Sequence, residues 1–280
     1  MYCFVSKNSI APIVLLVTFT ASAELQVVQR DGSQSLFSGK QQSVNVMFRN
    51  ASKVTVETSV RAKVFQLTSA TAAPVMELPA KPLKVLEGQT ISETVAVDLP
   101  MVRAPTRFLL RWSDAGARSL GQTEIVAYPP GVLKELKSLL GEGRVGLVDP
   151  QNQLKALLKS VEIEAESLEA EELEEYEGKL IIAGPFASAT QVPARFGERL
   201  RNLRQRGVAA VWIQPPQRGL PTTDPSYFIV DGAAKQPAIV IAAAETIAGI
   251  ENNPEAQVRL LRMASVAIDP KPFEIPGTKE

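Results

Sequence analysis

Any chemistry in this chain must be done without imidazole and almost without sulfur. Its 280 residues include no histidine and one cysteine, Cys3. Without histidine there is no Ser-His-Asp or Cys-His machinery, and no imidazole ligand or proton shuttle. Cys3 lies in a segment expected to be removed, which leaves the mature chain without a thiol nucleophile, a zinc–cysteine site or a disulfide.

Carboxylates are the groups that remain. Nine glutamates and no basic residue lie between Ser160 and Gly178. Such a run could hold a hard cation or supply the paired acids of glycoside hydrolysis. Its pattern favours solvation instead. Glu162, Glu164 and Glu166 alternate with apolar residues, as on the wet side of an edge strand, and Glu169 to Glu177 read as the outer face of an acidic helix. Arg195, Arg199, Arg201, Arg204 and Arg206 flank one apolar helical stripe, and pairing with the acidic segment is the expected arrangement. Gly141, Gly143 and Gly146 satisfy G-x-G-x-x-G but lead into a strand, whereas phosphate binding needs them after one. No cofactor is expected.

The elements that position these groups fall into two sets. From Glu24 to Tyr128 the hydrophobic period is two, clearest in Ser43–Arg49, Val60–Val64, Thr90–Val97, Thr106–Trp112 and Gln122–Tyr128. Alternation at that spacing predicts an antiparallel all-β sandwich. Pro129-Pro130-Gly131 then breaks the chain, and residues 129–143 read as a linker and helix with Val132, Leu133, Leu136, Leu139 and Leu140 on one face. Residues 144–268 alternate strand and helix. Arg144–Val148, Lys179–Ala183, Val208–Ile213 and Ala238–Ala243 are near-continuous apolar runs, the mark of parallel strands covered on both faces. Leu154, Leu157, Leu158 and Val161 make one helical stripe, and Phe196, Leu200 and Leu203 another. A last helix is expected to begin at Pro254, capped by Asn252 or Asn253, with Leu260, Leu261, Ala264 and Ile268 inward. The fold class is thus two-domain: an N-terminal all-β sandwich, immunoglobulin-like, plus a C-terminal α/β three-layer doubly wound parallel sheet. A Pro-rich tail, 269–280, follows.

Residues 1–23 read as a cleaved secretory leader: Lys7, an apolar run from Ile10 to Phe19, then Ala21-Ser22-Ala23, with cleavage expected between Ala23 and Glu24. The run is too short to span a bilayer, which needs about 20 apolar residues. The mature chain would be periplasmic or secreted, with no membrane span after cleavage. Its 30 basic and 30 acidic residues before cleavage favour neither nucleic acid nor a polybasic membrane patch. Asn50-Ala51-Ser52 matches the glycosylation sequon.

Two resemblances add to this reading. Leu83–Gly88, Val97–Pro100, Leu120-Gly121 and Tyr128-Pro129 are similar to bacterial immunoglobulin-like modules, which often accompany sugar hydrolases and surface proteins. In the second half, Leu168 to Tyr176 leading into Lys179–Pro185 resembles the class I glutamine amidotransferase-like fold, where a short acidic helix runs through a Tyr into the third strand. Leu200 to Ile213 is similar to that family's next helix and strand. Ile239–Ala242, Asn253–Gln257 and Leu260-Leu261 resemble its non-catalytic members attached to bacterial glycosidases, one of which is the trimerisation domain of some β-galactosidases. Catalytic members carry a nucleophilic Cys on an elbow after the fourth strand. Here that strand ends in Gln214-Pro215-Pro216-Gln217, and the family's His partner is absent, so no triad can be carried over.

Open α/β sheets bind ligands outside the carboxyl ends of their strands. Asp149, Gly184, Gln214 and Glu245 fall there, with the loop from Gln214 to Pro225 expected to cover them. Asp149 and Glu245 could equally cap the segments that follow. The expected role is an exported, non-enzymatic interaction or assembly module with a protein partner or with itself. The alternatives are a carbohydrate-binding accessory module linked to polysaccharide breakdown, and a carboxylate-dependent hydrolase. Sugar-stacking aromatics are few, since Trp112 and Trp212 both read as core.

Overall fold

The computed structural model describes residues 25–29, 32–169, 172–215 and 236–270, together with the backbone of 228–230. The expected leader with Ala23 and Glu24, most of the Gln214–Pro225 loop and most of the tail lie outside the described residues.

Nine strands form the β region: β1 (Leu25–Val28), β2 (Gln34–Phe37), β3 (Gln41–Asn50), β4 (Val56–Leu67), β5 (Ala72–Glu77), β6 (Lys81–Val85), β7 (Thr90–Asp98), β8 (Thr106–Ser113) and β9 (Ser119–Tyr128). One sheet has the order β1-β3-β7 and a second β2-β9-β8-β4-β5, with β6 paired to the first half of β4. β2 runs parallel to β9, and the other pairings of the region are antiparallel. Alternation does what the sequence predicts: Val44, Val46 and Phe48 from the first sheet meet Val60, Ala62, Val64, Phe108, Leu110 and Trp112 from the second in one buried cluster. Phe48 and Trp112 join the sheets edge to face, ring centroids 5.5 Å apart. The short strands β1, β2, β5 and β6 were not legible as strands. β5, for example, reads Ala-Ala-Pro-Val-Met-Glu and is almost wholly exposed, so it carries no alternating pattern.

Asn50 is fully buried. Its Nδ2 donates to the carbonyls of Val54 (2.7 Å), Val85 (3.1 Å) and Leu86 (3.1 Å), and its Oδ1 accepts from the Ser52 amide (3.0 Å) and hydroxyl (2.7 Å). The sequon asparagine is therefore a knot between two loops, with no room for a glycan on the folded chain.

The α/β region contains β10 (Val145–Val148), β11 (Ala165–Ser167), β12 (Leu180–Ala183), β13 (Ala209–Gln214), β14 (Phe228–Val230) and β15 (Ile239–Ala243), with helices α1 (Glu135–Leu140), α2 (Gln153–Ser160), α3 (Phe196–Gln205) and α4 (Pro254–Ile268). The sheet order is β11-β10-β12-β13-β15-β14, parallel except for β14. Helices cover both faces. Leu136, Leu154, Leu158, Leu260 and Met263 pack with Leu147, Ile182 and Val211 on one side, while Leu200 and Leu203 pack with Ile181 and Ala210 on the other. This sidedness explains the all-apolar strands, whose residues in β10 and β12 are all buried.

Four expectations are corrected in detail. The acidic helix is one 3-10 turn, Glu172–Glu175, anchored by buried Leu173. The edge strand at Val161–Glu166 pairs only over Ala165–Ser167, because the chain turns at Glu162 with φ 61°. The helix after Asp149 starts at Gln153 rather than Pro150. The last helix buries Ala256, Leu260, Met263, Ala264 and Ala267, leaving Leu261 and Ile268 only half-buried. Its start is as expected: Asn253 accepts from the amides of Glu255 (3.1 Å) and Ala256 (3.3 Å), with Pro254 in the first turn.

Candidate functional site

The order of the parallel strands places the change of winding direction between β10 and β12, so the crevice of such a sheet opens at their carboxyl ends. Asp149 follows β10 and Gly184 follows β12, and the Gly184 amide donates to the Val148 carbonyl at 2.8 Å. These two predicted residues are brought together. Each has a structural role in the fold.

Both carboxylate oxygens of Asp149 are engaged by the start of α2: Oδ1 accepts from the Gln153 amide (3.2 Å), and Oδ2 from those of Leu154 (2.8 Å) and Lys155 (2.9 Å). A helix leaves its first amides unpaired, and a carboxylate beside them satisfies them and opposes the positive end of the helix dipole. Gly184 is required by backbone approach. Its φ is 97°, and a Cβ there would lie 2.3 Å from the Ile213 carbonyl oxygen. Above the pair, Gln151 Nε2 donates to Gln191 Oε1 at 3.2 Å, and the same oxygen accepts from the Ala187 amide at 2.8 Å. The loops after β10 and β12 are thus tied across the mouth of the crevice.

Gln214 closes β13, half-buried and opposite Ala243 of β15. Glu245 is exposed in the 3-10 helix Ala244–Ile247 and caps nothing there. The ends of β10 and β15 are three strands apart, about 14 Å at a spacing of about 4.8 Å. Glycoside hydrolysis needs two carboxyls within about 5–10 Å. Asp149 and Glu245 do not form that pair. Among the described residues, no group of three or more acidic or thiol side chains is placed to hold a metal ion.

Trp212 was read as core, and that holds only partly. It is half-buried on β13, edge-on to Phe196 with centroids 5.5 Å apart, and its indole Nε1 is buried without a hydrogen-bond partner among the described residues. Trp112, by contrast, is buried and donates to Thr123 Oγ1 at 3.0 Å. The alternation of β13 places Trp212 on a packed face but could not show its unmet donor.

Two of the arginines on and just after α3, Arg199 and Arg206, reach the acidic segment, while Arg195 pairs with Glu198 and Arg201 is exposed. Arg199 pairs with Glu174 at 4.0 Å, Arg206 bonds the carbonyls of Glu174 and Tyr176, and Arg204 Nε donates to the Pro237 carbonyl at 2.9 Å. Tyr176 is buried, its hydroxyl 2.9 Å from the Arg144 carbonyl and 3.2 Å from that of Leu180. Burial, and then the negative charge of Glu166, push its phenol well above the usual range, so it stays protonated.

Concavities outside the crevice lie in the β region. One of about 530 Å³ is lined by Gln29, Gln34, Asn45, Arg107, Gln122 and Glu124, among others. Much of its polarity is internally paired. The Gln34 amide brackets the Asn45 backbone (2.8 and 3.1 Å), where β1 no longer pairs with β3, and Arg107 meets Glu124 at 2.9 Å. A second, of about 250 Å³, is lined by Arg61, Lys63, Glu77 and Arg111.

No protein-family model matches this chain, and no curated protein does. Among solved structures, a β-glucosidase from Listeria innocua in complex with glucose aligns at 14% identity and a TM-score of 0.29, over 38% of this chain and 16% of its own. The Pseudomonas fluorescens alkylpurine DNA glycosylase AlkC, bound to DNA containing an abasic site analog, aligns at 11% identity and TM-score 0.30, over 38% of this chain and 31% of its own. Spo0M, a sporulation control protein of Bacillus subtilis, aligns at 11% identity and TM-score 0.29, over 44% of this chain and 60% of its own. The alignment thus spans well under half of the glucosidase and glycosylase chains. Likenesses this slight carry no argument about fold or activity.

Proposed function

We propose that this chain is an exported, non-enzymatic protein of two domains, an immunoglobulin-like sandwich followed by a degenerate amidotransferase-like domain, that works by binding a protein partner or a second copy of itself. One observation carries the reading: the acid at the carboxyl end of the first parallel strand, Asp149, is fully occupied by three backbone amides of α2. The strand order and the helices on both faces support the amidotransferase-like part of the reading. The end of β13 at Gln214-Pro215, in a chain without histidine, supports the loss of catalysis. The apolar leader before Glu24 supports export.

Two measurements test this. Protein recovered from the extracytoplasmic fraction is expected to begin at Glu24, and crosslinking of the purified chain with that fraction is expected to join it reproducibly to one partner or to itself. Turnover on a glycoside or amide panel that Asp149→Asn or Glu245→Gln abolishes would overturn the reading. So would a strictly monomeric chain with intramolecular crosslinks alone.

A second reading, carbohydrate binding, is favoured by the cavity of about 530 Å³ and its side-chain amides from Gln29 and Gln122. Glycan-array binding lost on Gln122→Ala separates it from the first.

A further inference from the structure

We infer that the outer face of the β4–β8 ladder holds a binding site for one oxyanion unit: a carboxylate, sulfate or phosphate group. The inference starts from register. Lys63 of β4 lies directly opposite Arg111 of β8, and Arg61 lies opposite Ser113. Arg61 and Lys63 are two residues apart on one strand, so they share a face about 7 Å apart, with Arg111 beside them. Like charges directly opposite one another across a ladder are destabilising. Glu77, opposite Lys63 on the other side, offsets this only in part: among the described residues none of the three cations has a carboxylate within ion-pair distance. Four other cations of the β region are paired: Lys81 with Glu93 at 2.5 Å, Lys84 with Glu57 at 2.6 Å, Arg107 with Glu124 at 2.9 Å and Arg118 with Asp114 at 3.1 Å.

The second observation is shape. The three cations line a concavity of about 250 Å³, together with Ser113 and Asp114. The Asp114 carboxylate is engaged by Arg118, through its amide (2.9 Å) and Nε (3.1 Å), rather than by the three cations. Arg111 is already positioned. Its guanidinium lies 5.2 Å from the centroid of the Phe65 ring, a stacked arrangement that limits its freedom before any ligand arrives. Two planar guanidinium forks and one ammonium point charge around a small hollow suit a single oxyanion, which the guanidiniums can grip bidentately. The volume suits one charged unit, free or at the end of a larger molecule, and is below that of sites for drug-sized ligands.

The test uses the full chain and four probes: inorganic phosphate, sulfate, galacturonate and polygalacturonate, measured by calorimetry at low and at high salt. At least one oxyanion is expected to bind at low salt. Lys63→Gln with Arg111→Gln is expected to weaken it at least tenfold, without lowering the melting temperature because the two charges repel. Glu77→Gln is expected to tighten it by roughly threefold to fivefold, since it removes a like charge from beside the anion. The galacturonate and polygalacturonate arms separate a free unit from a polymer. Lys159→Gln, the loss of one positive charge on exposed α2, is expected to do nothing. Equal weakening by Lys159→Gln, no binding of any probe, or poly-glutamate binding tenfold more tightly than all of them would overturn the inference. None of these outcomes bears on whether the chain is exported or catalytically inert.

Discussion

The two regions treat their polar side chains in opposite ways. In the α/β region several of the groups that look chemical bond within the fold, although Glu245 is exposed. Asp149 serves α2, and Arg199, Arg204 and Arg206 serve the acidic turn and neighbouring carbonyls. In the β region the buried amide of Asn50 is likewise taken up by backbone, but on the outer sheet face Arg61, Lys63 and Arg111 have no carboxylate within ion-pair distance among the described residues. At the strand ends of the doubly wound sheet the acid Asp149 is taken up by α2, whereas the cationic face inferred above lies on the side of an antiparallel sheet.

The same contrast should be visible in stability, and the chain carries its own reporters. It has two tryptophans, Trp112 in the β region and Trp212 in the α/β region. Trp212→Phe and Trp112→Phe backgrounds therefore read each region separately by fluorescence. The largest expected effect is Asn50→Ala. It strips a fully buried amide from three carbonyls and two donors, of which the Leu86 and Val54 carbonyls keep second partners in Gln89 and Ser52. A buried group left unsatisfied costs about 1–3 kcal/mol, so a loss of about 3 kcal/mol is expected on the Trp112 signal. If the regions are separate domains, the Trp212 transition stays in place. A shared loss of both signals would show that the contact of Ser35 with Glu255 of α4, at 3.3 Å, belongs to a cooperative interface.

Asp149→Ala is the counterpart on the other side, and a smaller one, because Asp149 is half-exposed and water can replace it. Loss of a helix cap costs about 0.5–2 kcal/mol, to be read on the Trp212 transition by denaturant titration. Asp149→Asn keeps an acceptor and loses only the charge, which beside a helix terminus is worth about 0.3–1 kcal/mol. If Asp149→Ala were stabilising, the carboxylate would be held for function at the expense of the fold, and the contrast between the regions would fail.

How far the sequence made this visible depends on the range of the interaction. The strands β10, β12, β13 and β15 were legible because both their faces are buried, so runs such as Leu180–Ala183 are apolar throughout. The start of α4 was legible because Asn253 and Pro254 act within three residues of themselves. Asp149 was legible as a site or a cap, and only coordinates could choose between them. The cationic face was not legible at all. Lys63 and Arg111 become neighbours through a register set between strands far apart in the chain, and each alone is an ordinary exposed residue of an alternating strand. β5 was missed for a related reason: an exposed edge strand needs no apolar face.

A small effect sharpens the comparison most, because it carries a pH signature that only one region should show. Tyr176 packs against Leu168 and Leu173 under β10 and β12. The Arg144 carbonyl beside its hydroxyl also accepts from the Lys179 amide at 2.9 Å, so Tyr176→Phe leaves that acceptor satisfied. A loss of about 1 kcal/mol at neutral pH is expected. Its phenol is held protonated in the fold by burial and by Glu166, whereas an unfolded tyrosine ionises near pH 10. Above that pH the unfolded chain releases a proton that the folded chain keeps, so stability falls as pH rises. The contribution is complete below about pH 10 and declines through the alkaline range. The Trp212 transition of the parent chain should therefore lose stability between about pH 10 and 11.5 more steeply than that of Tyr176→Phe, with the Trp112 transition indifferent to the substitution. Equal alkaline slopes for the two proteins would mean that the hydroxyl ionises freely, and that the seam between β10 and β12 is open to water.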